Sequence, residues 1–213
     1  MSVSLSKGQG VSLRKNEHDL SSVTIGLGWD IREEKKGFLG SLLGKKEEEY
    51  DLDVVAFLCN AEGKVTDLGS VENGKPTLVN GDIIFFNSQR HKSGEIWLTG
   101  DNRTGAGDGD DEQIIVQLNS LDAKYEKIVF IVQIYNGERL NQNFGKVQNA
   151  FIRAVDAKNV EMARFDLSGG PAFANQCSMV FAELVRESGG WKLNAIGEPS
   201  QSDSFVTHLR NYL

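Results

Sequence analysis

The residues with the clearest chemical capacity lie in one short segment, residues 101–112. The segment reads DNRTGAGDGDDE and holds five acidic side chains against one arginine. Neighbouring carboxylates a few ångströms apart repel by about 1 kcal/mol in bulk water and by several times more near a protein surface. This crowding predicts a bound cation, because a positive charge relieves the repulsion.

Calcium is the cation that fits this segment best. Ca²⁺ takes about six to eight oxygen ligands in flexible geometry, whereas Mg²⁺ tolerates a crowded protein cage less readily. Gly105, Gly107 and Gly109 allow the backbone to curl so that carboxylates and carbonyls converge. Zinc and copper prefer His or Cys ligands, and the segment contains neither.

Two familiar calcium loops do not match the spacing. An EF-hand needs acidic or amide ligands at alternate early positions and then a glycine, but Arg103, Gly105 and Ala106 stand at three of these positions. The nonapeptides of calcium-binding β-helices must repeat in order to stack, and a single copy is present. The alternative to a metal site is an acidic turn that is simply solvated.

A second acidic pair could join the first group. Asp51 and Asp53 are two residues apart at the start of a predicted strand, so their side chains should project to the same side. Asp30 ends the preceding predicted strand and could lie beside them. Acids at strand ends are often only solubilising, so this pair strengthens the metal hypothesis only if the fold brings it near residues 101–112.

The elements that must position these acids read as strands. In the run 23–30, apolar residues alternate with small or polar ones, which puts Val23, Ile25, Leu27 and Trp29 on one face and Thr24, Gly26, Gly28 and Asp30 on the other. Similar runs are separated by Gly, Asn or Asp turns. The predicted strands are Val3–Leu5, 23–30, Asp51–Cys59, Asp82–Phe86, Glu95–Leu98, Gln113–Leu118, Lys127–Tyr135, Ala150–Val155, Val160–Asp166, Ser178–Arg186 and Trp191–Ile196.

These runs lack the alternation with helices that parallel sheets need, so they predict an all-β fold with minor helix. The expected architecture is a two-sheet β-sandwich, mostly antiparallel, with a short C-terminal helix that begins at an Asp203 cap. A second short helix is predicted over 141–148. We expect residues 1–213 to form a single domain, with a surface insertion at residues 32–49.

The insertion leaves two interpretations open. Its sequence changes from mixed charge to GFLGSLLG and then to KKEEE, and its periodicity is poor. It is either a mobile surface loop or an exposed apolar tip, formed by Phe38, Leu39, Leu42 and Leu43, that touches a membrane or a partner protein.

Composition excludes several classes of protein. Acidic residues outnumber basic ones by 30 to 23, a formal net charge of −7, and no basic stripe appears, so nucleic acid is not an expected partner. The N-terminus has no apolar signal core and no apolar run is long enough to span a membrane, which predicts a cytoplasmic protein. Cys59 and Cys177 lie in apolar strand-like runs and are predicted to be reduced core residues rather than a disulfide.

Six motifs are spread over most of the chain, namely GLGWD (26–30), DLDVVAF (51–57), FFN (85–87), TGDNRTGAGDGDDE (99–112), QNFGKVQNAFIR (142–153) and MARFDL (162–167). Together they resemble the TerD family of tellurium-resistance and stress proteins. The insertion at residues 32–49 is longer than in compact members of that family, and the expectations carried over from the family are weakest there.

The resemblance implies a β-sandwich that binds calcium at adjacent sites, here two Ca²⁺ ions, without an established catalytic activity. Carried over residue by residue, the family's acidic motifs fall on Asp30, Asp51, Asp53, Asp101, Asn102, Asp108, Asp110, Asp111 and Glu112.

Three functions follow as hypotheses. The first is a calcium-binding sensor or scaffold in a stress-response assembly with other proteins, and the second is a calcium-dependent module at the inner face of the membrane. The third is a metal-dependent enzyme, which ranks last because no nucleophile and base are visible as a pair. His18, His91 and His208 are scattered without metal-binding spacing, and the phosphate-binding glycine motifs are absent.

Overall fold

The structure, a computed structural model, describes residues 2–31, 50–99, 109–167 and 173–213. The predicted insertion at residues 32–49 and the first part of the acidic segment therefore lie outside the described residues. Asp101, Asn102 and Asp108 belong to that part.

Within the described ranges the chain forms two six-stranded sheets that pack face to face, and a short two-stranded ladder. The first sheet has the order β1-β12-β11-β3-β9-β8, and the second has the order β2-β14-β13-β10-β4-β7. The strands are β1 (Val3–Leu5), β2 (Gly10–Arg14), β3 (Val23–Ile31), β4 (Leu52–Cys59), β5 (Val71–Glu72), β6 (Lys75–Pro76), β7 (Ile83–Ile84), β8 (Ile96–Thr99), β9 (Glu112–Val116), β10 (Lys127–Ile134), β11 (Val147–Val155), β12 (Glu161–Leu167), β13 (Ser178–Glu187) and β14 (Gly190–Ser200).

The predicted β-sandwich is confirmed. Among the strands described, β1 pairs in parallel with β12 and the other neighbours pair antiparallel, as expected for strands joined mainly by turns. The predicted C-terminal helix is also present, at Phe205–Leu209.

The core between the sheets follows the alternation in the sequence. On β3, Val23, Ile25, Leu27 and Trp29 are all buried in one cluster with residues from both sheets. From the second sheet, β4 contributes Leu52 and Val54 to the same cluster. The predicted alternation of β3 is therefore confirmed, but Gly26 and Gly28 on the other face are buried as well, so the strand is more than half-buried.

The second sheet is buried on its outer face as well, which explains why β4 and β10 are apolar almost throughout. Val55 and Phe57 of β4 pack there against Phe205 and Leu209 of the C-terminal helix. The Phe205 ring centre lies 5.2 Å from that of Phe85 and 6.2 Å from that of Phe57. The helix is held by this apolar contact, since five residues are too few for an independently stable helix.

The predicted cap of this helix is wrong. Ser204 occupies the position before the first helical residue and makes no side-chain capping bond. The Asp203 carboxylate instead accepts a hydrogen bond from the backbone N–H of Glu138, at 3.2 Å. A carboxylate one residue too early cannot reach the free N–H groups of the first turn, so it serves a neighbouring helical turn.

Other boundaries also differ. The helix predicted over 141–148 is replaced by a helical turn at Gly137–Leu140 and a 3₁₀ turn at Phe144–Lys146, and Val147 already starts β11. The edge strand β2 and the β5/β6 hairpin were not predicted, because short, exposed strands lack an apolar alternation. Cys59 and Cys177 are buried free thiols, as predicted.

Candidate metal centre

The acidic segment returns to the first sheet beside the end of β3. The Asp111 backbone N–H donates to the Leu27 carbonyl at 2.8 Å, and the Asp111 Oδ2 accepts from the Trp29 backbone N–H at 3.0 Å. These two bonds continue the antiparallel β3–β9 ladder past its last paired residues, Leu27 and Glu112. The ladder thus fixes both the backbone and the carboxylate of Asp111 at this edge.

Asp111 lies close enough to Asp30 and Asp110 to be repelled by both carboxylates. Burial raises the pKa of the Asp111 carboxyl, and repulsion from Asp30 and Asp110 raises it further, although the bond from the Trp29 N–H acts in the opposite direction. A group with this environment gains stability from a nearby cation. The structure thus brings Asp30, Asp110 and Asp111 together.

Asp110 is the most enclosed of the three. Its side chain is 2% exposed, and Oδ1 accepts from Arg153 Nε at 2.7 Å. Its other oxygen, Oδ2, accepts from Gln113 Nε2 at 3.2 Å. The carboxylate lies directly on the backbone of Gly26, where a Cβ would come within 2.2 Å of the Asp110 Cγ. Only glycine leaves room for it.

Asp30 is exposed on the same outer face of the first sheet. Its Oδ2 accepts from the Asn149 Nδ2 at 2.7 Å. Asn149 has a left-handed backbone, with φ of 50°, at the irregularity in the β3–β11 ladder between Gln148 and Phe151. This irregularity turns the Asn149 side chain towards Asp30, so a neutral amide holds the carboxylate without cancelling its charge.

Glu112 lies on the opposite, inward face of β9 with Ile114 and Val116. It is 2% exposed, and its Oε2 accepts from the Val54 backbone N–H at 2.6 Å. Because Val54 is on β4, this bond links the first sheet to the second. Glu112 therefore joins the two sheets at the same end of the sandwich.

Asp53 faces away from this group. It shares the outer face of β4 with Val55 and Phe57, where its Oδ2 accepts from Gln133 Nε2 at 3.1 Å. Gln133 Oε1 in turn accepts from the Phe205 backbone N–H at 2.8 Å. Asp53 thus supports the start of the C-terminal helix. Asp51 is half-buried just before β4, and its carbonyl accepts from the Tyr135 N–H at 2.7 Å.

Comparison with known proteins identifies the chain at the level of a family. A protein-family model for the TerD domain matches residues 1–212. The chain belongs to the TerD family. It is 87% identical over 213 residues to the tellurium resistance protein TerX of Serratia marcescens, with 100% of both chains covered.

Two further comparisons give lower identities. The chain is 38% identical over 214 residues to the stress response protein SCP2 of Bacillus subtilis, with 100% of both chains covered. A solved structure of a homologue of the telluride resistance protein TerD from Streptomyces coelicolor superposes with a TM-score of 0.59 at 21% identity, over 87% of this chain and 94% of that one. The latter similarity establishes the shared fold.

The acidic residues beside the end of β3 suit a hard cation, because Asp30, Asp110 and Asp111 offer only oxygen atoms as ligands. Over residues 2–31, 50–99, 109–167 and 173–213, however, no group of three or more His, Cys, Asp or Glu side chains is arranged to hold a metal ion. The metal site predicted from the sequence therefore stays a prediction, and in the described structure Asp53 bonds Gln133 while Glu112 bonds the Val54 N–H.

The residues that hold Asp110 were not predicted. In the sequence, Arg153 and Gln113 are only polar residues within predicted strands. Gly26 is only a small residue on the face of its strand that does not carry Ile25 and Leu27. The NAFIR motif contains Arg153, but a single sequence does not show which carboxylate a given arginine reaches. The periodicity of β11 does place Arg153 on the face opposite the buried Ile152, which is the signal that could have located it.

None of the helices in the described part of the chain is long and apolar enough to cross a membrane.

Proposed function

We propose that this TerD-family protein is a calcium-binding module of a tellurite-resistance type of stress response, and that it acts as a sensor or scaffold rather than as a catalyst. The observation that carries the proposal is the environment of Asp111. Burial and two neighbouring carboxylates raise the pKa of this group, and a divalent cation would remove the repulsion that contributes to the rise.

Asp30 and Asp111 are the described residues best placed to contact calcium. Asp30 is exposed, and Asp111 is held against the end of β3 by two contacts to the backbone. Asp101, Asn102 and Asp108 complete the proposed ligand set from the same segment, and two ions remain the proposed number. Asp51, Asp53 and Glu112 would act around the ions rather than as the central ligands.

A sensor function follows from how calcium would act on this edge. An ion that binds the folded chain and not the unfolded one stabilises the fold, by about 2.7 kcal/mol at a hundred times its dissociation constant. The gain falls on residues 109–111, which lead into β9 and bond the end of β3 through Asp111. Calcium would therefore change the stability of one end of the sandwich and of any partner surface there.

Two serine–histidine contacts occur in the described part of the chain, His91–Ser93 and Ser178–His208, and the second, in which both residues are buried, is not arranged for catalysis. Ser178 Oγ and His208 Nε2 are 2.8 Å apart, but the Ser178 hydroxyl donates its proton to the Ser202 carbonyl at 2.5 Å. Burial also lowers the pKa of His208. A serine whose proton points at a carbonyl is not activated as a nucleophile by this histidine.

The partners of the module are proposed from the relatives. A tellurium resistance protein and a stress response protein are among the chains it resembles over their full lengths. We propose that it works in the cytoplasm with other proteins of such a response.

Calorimetric titration of calcium into chelator-treated protein tests the proposal. We expect saturable heat and a higher melting temperature in calcium. Asp30→Asn and Asp111→Asn should each weaken binding by about tenfold or more, because each removes a charge next to the ion. Asp166→Asn is the matched control: Asp166 is an exposed carboxylate on the same sheet, and it pairs with Arg164 Nε at 2.7 Å. Absence of both heat and thermal shift in the wild-type protein would remove the proposal.

A further inference from the structure

The edge of the first sheet that carries Asp30, Asp110 and Asp111 already contains a positively charged side chain, Arg153. The Arg153 guanidinium bonds Asp110 through Nε at 2.7 Å and Glu161 through Nη1 at 3.3 Å. The hydrogen bond to Asp110 raises the pKa of Arg153, so the guanidinium keeps its charge. Asp110 is thus neutralised by a fixed side chain before any metal ion arrives.

The geometry leaves Asp110 poorly suited to ligate a metal. One of its oxygens accepts from Arg153 and the other from Gln113, and the side chain is almost fully enclosed. A calcium ligand must direct an oxygen lone pair at the ion, in competition with these two donors. Displacing a guanidinium from a carboxylate that is 2% exposed would leave a buried charge without its partner.

Strand β3 provides the surface on which the Asp110 side chain packs. Gly26 and Gly28 leave a groove on the outer face of the first sheet, in which the Asp110 carboxylate covers Gly26 and the Phe151 ring covers Gly28. A Cβ at Gly28 would also meet the Gly109 carbonyl at 2.7 Å. The backbone of residues 109–111 therefore packs directly on β3. This packing places Asp111 where it bonds the backbone of Leu27 and Trp29.

We propose that Arg153 is a positioning residue: it anchors Asp110 on Gly26 and so presents Asp111 beside Asp30 for calcium. The proposal rests on the calcium function proposed above. It assigns Asp110 to the support of the site rather than to the ligands, and it makes the arginine of β11 necessary for an ion that it never touches. Residues that orient metal ligands typically change affinity by about 10–100-fold when they are replaced.

Two measurements on the full chain test the proposal. The first is native-state hydrogen exchange at the Asp111 amide in chelator, which reports the bond to the Leu27 carbonyl without any metal. The second is calorimetric titration with CaCl₂. The variants are Arg153→Gln, which removes the anchor, and Gly26→Ala, which pushes the Asp110 carboxylate off the strand while keeping its charge.

The matched control is Arg164→Gln. Arg164 stacks on the same Phe151 ring, at 3.7 Å from its centre, and pairs with Asp166 rather than Asp110. We expect Arg153→Gln and Gly26→Ala to speed exchange at Asp111 by about tenfold or more and to weaken calcium binding by about 10–100-fold. Arg164→Gln should change neither quantity. Arg153→Lys, which retains the charge, should restore most of the affinity.

The direction in which Arg153→Gln changes the calcium affinity shows whether Arg153 supports the site or competes with calcium for Asp110. If Asp110 were a direct ligand, loss of the competing guanidinium would leave calcium binding equal or tighter, and that result would overturn the proposal. A double variant with Asp110→Asn should bind no more weakly than Arg153→Gln alone, because both changes break one interaction. If the wild-type protein takes up no calcium, the proposed function fails, while unchanged exchange at Asp111 in Arg153→Gln would separately disprove the anchor.

Discussion

At the scale of single residues, the most completely bonded carboxylate in the described core is Asp82. Its Oδ1 accepts from the Tyr125 hydroxyl at 2.6 Å and lies 3.4 Å from His91 Nε2. Its Oδ2 accepts from the Thr66 hydroxyl at 3.2 Å and the Asp67 backbone N–H at 3.1 Å. Asp82 thereby connects the long segment between β4 and β8 to the loop before β10, which contains Tyr125.

These bonds make stability depend on pH in a defined direction. Burial alone would raise the pKa of Asp82, but the hydrogen bonds from His91, Tyr125, Asp67 and Thr66 outweigh it and lower the pKa to about 2. A lowered folded-state pKa means that the unfolded chain binds the proton more readily. The stabilisation is therefore present above about pH 4 and is lost as the pH falls towards 2, an effect on the order of 2 kcal/mol.

Asp82→Asn tests this prediction. We expect the variant to be less stable by about 2–3 kcal/mol at neutral pH, since an amide cannot accept all of these bonds. Its loss of stability between pH 4 and pH 2 should also be smaller than that of the wild-type protein. Urea unfolding at a series of pH values measures both effects. An identical acid dependence in the two proteins would show that Asp82 is not the group responsible.

Sequence reasoning located the acidic segment and the face of β3 that carries Asp30, because a two-residue period is visible without any structure. It did not show in which direction the Asp53 and Glu112 side chains point. Asp53 has the strand parity of Val55 and so faces the C-terminal helix, whereas Glu112 has the parity of Ile114 and faces inward. Deciding which carboxylates meet requires the register between strands that are far apart in sequence.

At the scale of elements, the C-terminal helix depends on one aromatic anchor. Phe205 is 7% exposed and packs against Phe57 and Phe85, while the adjacent Val206 is 40% exposed. A five-residue helix has little stability of its own, so its position follows from burial rather than from capping. This is why the apolar spacing predicted the helix correctly and the expected Asp203 cap was wrong.

Phe205→Ala should therefore destabilise the protein by about 3–5 kcal/mol, through lost burial and an unfilled cavity. Val206→Ala on the same helix is the matched control, and it should change stability by no more than about 0.5 kcal/mol. Chemical denaturation followed by circular dichroism measures both. Equal effects of the two substitutions would mean that the helix is not held by its buried face.

Two elements far apart in sequence also bond each other in a way that no local pattern predicts. The Glu138 N–H donates to Asp203 Oδ2, and the Asp203 N–H donates to Glu138 Oε1, both at 3.2 Å. This exchange joins the helical turn Gly137–Leu140 to the segment before the C-terminal helix. Local sequence signals identify a residue that can cap a helix, but they do not identify which helix end it will reach.

At the scale of the whole molecule, the sheets share one core, and a hydrogen bond crosses between them at the acidic end. Strands β3 and β9 of the first sheet and β4 and β10 of the second all contribute to the same apolar cluster. Glu112 adds a polar link there through the Val54 N–H. The chain should therefore unfold as one cooperative unit despite the separate hydrogen-bond ladders of its sheets.

Glu112→Ala and Glu112→Gln together test the contribution of that link. The alanine variant leaves the Val54 N–H without this acceptor, and we expect it to lose about 2–3 kcal/mol of unfolding free energy. The glutamine variant keeps a carbonyl oxygen of the same reach and should retain most of the stability. Urea unfolding should be monitored both by far-ultraviolet circular dichroism and by tryptophan fluorescence, because Trp29 and Trp191 belong to the shared core.

The two optical transitions should coincide in the wild-type protein and in both variants, with the midpoint lowest for Glu112→Ala and the slope unchanged. Separate transitions in the alanine variant alone would show that Glu112 couples two sheets that can unfold independently. Equal stability of the alanine and glutamine variants would show instead that the apolar core alone joins the sheets.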